Sequence, residues 1–63
     1  PEPLEHLLPS GLSADDRQII IWRYEQQLGF REISDRLGIS ESGCRSRLHR
    51  AVQRCSELLD GRK

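Results

Sequence analysis

Apolar positions fall into four groups along this chain, separated by glycine, proline and short polar breaks. Leu4, Leu7 and Leu8 stand at i, i+3 and i+4, the spacing of one helix face, so a turn or two of helix is expected there. Pro9-Ser10-Gly11 ends it. Ser13 then has the chemistry of an N-cap, with Asp16 three residues on in a capping-box-like place. Asp15 and Asp16 also suit the positive end of a helix dipole. The pattern predicts a helix over about 14–27, strongly apolar through Ile19, Ile20, Ile21, Trp22 and Tyr24. Three consecutive isoleucines also suit a strand, but the cap, the length and the absence of alternation favour helix. Gly29 is expected to stop this helix.

The second half reads as helix, turn, helix. Ile33 and Leu37 are four residues apart and define a short helix over 31–37, with Phe30 at its entrance. Gly38 supplies the turn, because glycine tolerates positive φ without a Cβ clash. Ile39 is the apolar wedge between two crossing helices, and Ser40 caps the last helix, expected to run to about residue 59. The expected class is therefore all-α, a small helical bundle containing a helix-turn-helix. The expected divisions are a linker end and short N-terminal helix over 1–12, the helix-turn-helix domain over 13–60, and a frayed tail over 61–63. Pro1-Glu2-Pro3 resembles linker, and the lack of any methionine makes the chain read as a piece of a longer protein.

Rotating the last helix by about 100° per residue places Leu48, Ala51, Val52 and Cys55 within roughly 80° of Cys44. That stripe is the expected core face, continued by Leu58 or Leu59. Ser42, Ser46, His49, Arg50 and Gln53 fall on the opposite face, with Arg45 and Arg47 at its boundary. Serine, histidine, glutamine and arginine donate to base edges and phosphates alike, and arginines at the boundary suit phosphates. Gly43 leaves two readings open: a close backbone approach to DNA, or a helix start simply weakened. Outward polar residues are also ordinary on any solvated helix. The tight glycine turn, the Ser40 cap and four arginines against one acid between Glu41 and Arg54 favour the DNA reading.

Composition narrows the function. At 63 residues the chain holds one small domain, and a body of that size buries only about 60% of its unfolded surface, leaving little room for an enclosed active site. The formal net charge is zero, yet residues 1–35 carry seven acids and three bases, a net of −4, and residues 36–63 carry seven bases and three acids, a net of +4. A polyanion responds to the potential of one face rather than to the total. Cys44 and Cys55, about 16 Å apart on one helix, lie beyond disulfide reach, so both are expected to be reduced and buried. Only two histidines are present, without metal-ligand spacing, so neither a metal nor a cofactor is expected. No nucleophile–base pair or phosphate loop has recognisable spacing, so no enzymatic activity is expected, and His49 reads as a groove-facing donor rather than a base. No apolar run approaches the roughly 20 residues of a membrane span.

These same residues resemble region four, the C-terminal DNA-binding region, of bacterial RNA polymerase sigma factors, most closely the extracytoplasmic-function group. The resemblance covers residues from about 8 to 59. It rests on the charged-then-aliphatic run from Arg17 through Ile19, Ile20, Ile21 and Trp22 to Arg23-Tyr24, on Gly29-Phe30-Arg31-Glu32-Ile33, on Leu37-Gly38-Ile39-Ser40-Glu41, and above all on Arg45-Ser46-Arg47-Leu48-His49-Arg50-Ala51.

The resemblance implies promoter recognition at the minus-35 element by a helix over 41–55 in the major groove. It implies base or nearby phosphate contacts from Arg45, Ser46, His49 and Arg50, flanked by Ser42, Gly43 and Arg47, and a backbone contact from Arg31. It also implies double-stranded promoter DNA and the β flap of the RNA polymerase core as partners, an anti-sigma factor as a further one, a cytoplasmic location and a monomeric isolated domain. Leu4–Leu8 and the helix through Ile19 and Trp22 are candidate parts of the protein-binding surfaces. Ser42-Gly43-Cys44 departs from the family's frequent Gly-Thr-Val, which removes a threonine able to touch DNA, and Arg31 replaces a common acid. Two alternatives stand beside this reading: a sigma-like module that binds polymerase or an anti-sigma factor, and a helix-turn-helix output domain of another transcription regulator.

Overall fold

The computed structural model describes residues 2–60. The expected frayed tail, 61–63, lies outside the described residues. Four α-helices are present among them: α1 (Leu4–Leu7), α2 (Ala14–Ile20), α3 (Phe30–Leu37) and α4 (Glu41–Asp60), with α2 continuing as a π-helical turn over Ile21–Glu25. The class is all-α, as expected.

Local chemistry explains most of the boundaries. The Asp16 N–H donates to Ser13 Oγ at 3.2 Å, so Ser13 is the N-cap of α2. The isoleucine run is helical and supplies the core, with Ile19 and Ile20 buried. The helix does not reach residue 27. It widens at Ile21, where the Gln26 N–H reaches back five residues to the Ile21 carbonyl at 3.0 Å, and it ends at Glu25. Gly29 is not its stop. Gln27 takes the left-handed conformation, with φ of 58°, while Gly29 is extended and serves as the N-cap position of α3. That helix begins at Phe30, one residue earlier than the spacing of Ile33 and Leu37 predicts. Gly38 does make the expected turn, at φ 71°. Its N–H and that of Ile39 both reach the Ser34 carbonyl, at 2.8 and 3.1 Å, which closes α3 with a Schellman-type end.

The core is small, built from α2, α3, α4 and Leu12 of the segment before α2: Leu12, Ile19, Ile20, Ile33, Cys44, Leu48 and Ala51. Each such side chain contributes about 1.5–3 kcal/mol when fully buried, less for alanine and cysteine. Half-buried Leu4, Leu8, Trp22, Leu28, Phe30, Leu37, Ile39 and Cys55 close around it. Arg17 ties the N-terminal segment down, donating to the carbonyls of Pro9 at 2.6 Å and Glu5 at 3.3 Å. The Leu4 N–H donates to Glu25 Oε2 at 2.9 Å, which sets α1 against the π-helical turn. Arg36 lies 5.4 Å from the Trp22 ring centroid and pairs with Glu32 at 3.1 Å, bracing α3 on that turn.

The expected core stripe of α4 holds for its first half only. Cys44, Leu48 and Ala51 are buried, but Val52 is 39% exposed, Leu58 40% and Leu59 64%, and Cys55 is half-buried rather than buried. The reason is length. A helix of 20 residues spans about 30 Å, whereas the eight of α3 span about 12 Å and the seven of α2 with the five of its π-helical turn no more than about 18 Å. The second half of α4 therefore overhangs the helices it packs against. Leu58 lies against Gly11, where an added Cβ would come within 3.3 Å of it. Tyr24 also stands outside, 55% exposed, on the widened turn.

Candidate nucleic-acid interface

The last helix starts at a well-formed cap. Ser40 Oγ accepts the Gly43 N–H at 2.9 Å, and the Ser40 carbonyl accepts the Cys44 N–H at 2.9 Å. A Cβ on residue 43 would lie 3.2 Å from that same Oγ. The glycine thus leaves space for the cap itself, a reason for its presence beyond close approach or a weakened helix.

The expected contact residues sit on one exposed surface. Ser42, Arg45, Ser46, Arg47, His49 and Arg50 are exposed on α4, Arg31 is exposed on α3, and Gly43 is half-buried. Leu48, between them in sequence, is buried. The inward and outward faces of α4 are therefore arranged as the rotation by 100° requires. The side chains of Ser46, His49 and Arg50 make no hydrogen bond to another described residue.

The two flanks of α4 differ. On one side, Arg45 lies 5.1 Å from the Phe30 ring centroid, and Arg23 lies 5.0 Å from the same ring. Arg23 also donates to the Leu28 carbonyl at 3.4 Å. Guanidinium stacking on an aromatic ring holds the cation while leaving its N–H edge able to bind an oxyanion. Arg23 was not among the residues expected from the sequence. It is 22 positions from Arg45 in the chain, and only the packing of the π-helical turn, α3 and α4 brings the two to one ring.

On the other side, Arg47, Arg50 and Arg54 share a groove with Ser13, Asp15 and Asp16. Arg54 Nη1 donates to Asp16 Oδ2 at 3.0 Å. The acidic half of the sequence is therefore not remote from the basic half, since the head of α2 lies against a flank of α4.

Nothing here resembles a reaction centre. The described residues hold no group of three or more His, Cys, Asp or Glu able to bind a metal ion. Both cysteines are free thiols. Burial pushes the Cys44 thiol above its ordinary value, partly opposed by Arg47 and Arg45, so the group stays protonated and inert at neutral pH. No helix among the described residues is long and apolar enough to cross a membrane.

Comparison with known proteins gives one finding. A family model described as Sigma-70, region 4 matches residues 6–55. No curated protein and no solved structure matches the chain.

Proposed function

The chain belongs to the sigma-70 region 4 family in the form typical of extracytoplasmic-function sigma factors, the non-enzymatic helix-turn-helix domain that binds the −35 promoter element, and from that premise we propose how it reads and holds DNA. The segment 41–55 of α4 lies in the major groove. Ser42, Ser46, His49 and Arg50 face base edges. Arg45 and Arg47, at the boundary of that face, meet the two phosphate walls, and Gly43 keeps the helix head narrow beside them. Arg31 meets the backbone from α3, and Arg23, held on Phe30 beside Arg45, joins it. The observation that carries this reading is the exposed Ser46, His49, Arg50 surface set directly opposite the buried Cys44, Leu48, Ala51 stripe.

Region 4 implies RNA polymerase as well as promoter DNA. The polymerase contact is the β flap, and it uses the surface of α1 and the π-helical turn, where Leu7 and Tyr24 stand exposed. An anti-sigma factor would compete for that surface. The domain proper spans 13–60, with 1–12 as a linker end carrying α1, and it acts as a monomer in the cytoplasm. Selection of bound duplexes from a random pool tests the reading. The expected result is one enriched motif. Arg50→Ala then weakens binding to it by about 1–3 kcal/mol, the range for a lost bidentate guanine contact. Arg45→Ala weakens binding to all duplexes and flattens the salt slope by about 0.9, as loss of one phosphate contact requires. Binding indifferent to both substitutions would overturn it.

A further inference from the structure

The groove between α2 and α4 places carboxylates where a DNA backbone would otherwise meet arginines. Rotation of about 100° per residue puts Arg47, Arg50 and Arg54 within roughly 60° of one another on α4. Asp15 and Asp16 line the same groove. Asp16 is largely buried, its side chain 12% exposed, and it holds Arg54 at 3.0 Å. Asp15 is exposed at the groove's edge. The opposite flank is built differently, with Arg23 and Arg45 on Phe30 and the nearby Glu32 already engaged by Arg36 at 3.1 Å.

We infer that Asp15 and Asp16 attenuate DNA binding, acting as built-in counter-ions that hold Arg54 back from backbone phosphate and weaken the phosphate contact of Arg47 on the same flank of α4. This rests on the placement of α4 in the major groove proposed above. A helix in that groove has a phosphate wall on each side. The wall on the Phe30 side meets Arg23 and Arg45, whose one shared partner is an uncharged ring, with Glu41 one turn before Arg45 on α4. The wall on the α2 side meets Arg54 already paired with Asp16, and it also meets Asp15, in the groove with Arg47, as a like charge. Fewer counterions are released there, and affinity for any duplex is lower than the arginine number would give. The phosphate term carries no sequence information. The carboxylates therefore lower affinity for promoter and unrelated DNA by a similar factor. The 63-residue chain is in this way a deliberately weak binder, dependent on contacts made elsewhere in the transcription complex for stable occupancy.

The test measures binding of the selected duplex and of a scrambled duplex by the intact chain at several salt concentrations. Asp15→Asn, an exposed substitution, is the main variant, with Asp16→Asn as the second and thermal unfolding as the check on folding. Asp15→Asn is expected to tighten both duplexes by a similar factor, roughly three- to tenfold near 50 mM salt, with the gain shrinking as salt rises. Its log K against log salt is expected to steepen by about 0.9 for one additional phosphate contact. Unchanged or weaker binding in both folded variants overturns the inference. Arg45→Ala in the same assay separates the two readings. Loss of binding there, with no gain in the aspartate variants, removes the attenuation and leaves the major-groove placement intact. No binding of either duplex by the unsubstituted chain removes the placement itself.

Discussion

Cys44 is fully buried at the point where α4 enters the core, while Cys55, eleven residues on, is half-exposed. Burial favours the neutral thiol, so the Cys44 pKa is raised above its ordinary 9.0. The folded state thus keeps this proton more tightly than the unfolded one. Its contribution to stability is full below the unfolded thiol's pKa and is lost as pH rises through the raised folded value. Cys55 is expected to react first with iodoacetamide at pH 8, and Cys44 only as the chain unfolds. Equal rates at the two positions in the folded state would contradict this burial. Cys44→Val removes the thiol at small volume change, costs less than about 1.5 kcal/mol, and is expected to abolish the alkaline loss. At the same scale, Arg23 and Arg45 show why a residue's role cannot be read from its own position. The two meet the same ring, and Arg23 is held there by a second contact, its donation to the Leu28 carbonyl.

The elements are joined by two turns that solve one problem in opposite ways. Between α3 and α4, Gly38 takes φ 71° at no steric cost. Between α2 and α3, Gln27 takes φ 58° despite its side chain. A non-glycine residue in that region costs roughly 1–2 kcal/mol, more than the unfolded-state entropy a glycine would add. Gly38→Ala is expected to destabilise the fold by about 1 kcal/mol or more, and Gln27→Gly to stabilise it by roughly 0.5–1 kcal/mol. Urea midpoints of the two variants should move in opposite directions, and a destabilising Gln27→Gly would show that the strain is compensated locally. The Ser40 cap belongs to the same scale. Ser40→Ala removes the acceptor of the Gly43 N–H and should cost about 1 kcal/mol. The Gly38 turn and the Ser40 cap were legible because each depends on a single residue's chemistry. The Gln27 turn was not, since glutamine carries no signal for positive φ and the adjacent Gly29 carried a false one.

For the whole molecule, the short axis of 14 Å against 32 and 27 Å describes a thin slab, little more than one helix diameter deep. A slab presents broad faces relative to its small core, which suits docking. Its charges are sorted by packing rather than by chain position. Arg54 is occupied by Asp16, so among the described residues the cations assigned to phosphate are Arg23, Arg31, Arg45 and Arg47. About four such contacts predict a slope near −3.6 for log K against log salt. Titration of the promoter duplex between about 50 and 200 mM salt measures it, and a slope flatter than about −2 would remove the phosphate assignments.

The linear order of residues determined the helices, the glycine turn at Gly38, the caps at Ser13 and Ser40, and the outward row from Ser42 to Arg50. These follow from periods of 3.6 and from backbone chemistry that acts within four residues. It also carried the segments that identify the family. Tertiary packing alone decided where α4 outruns its neighbours and exposes Val52 and Leu59, because that depends on the lengths of other helices. It alone set Arg23 beside Arg45 on Phe30, and it alone folded the acidic head of α2 against the arginines of α4. A tally of −4 and +4 along the chain describes a separation that folding removes, since Coulomb interaction depends on distance in space and not on distance in sequence.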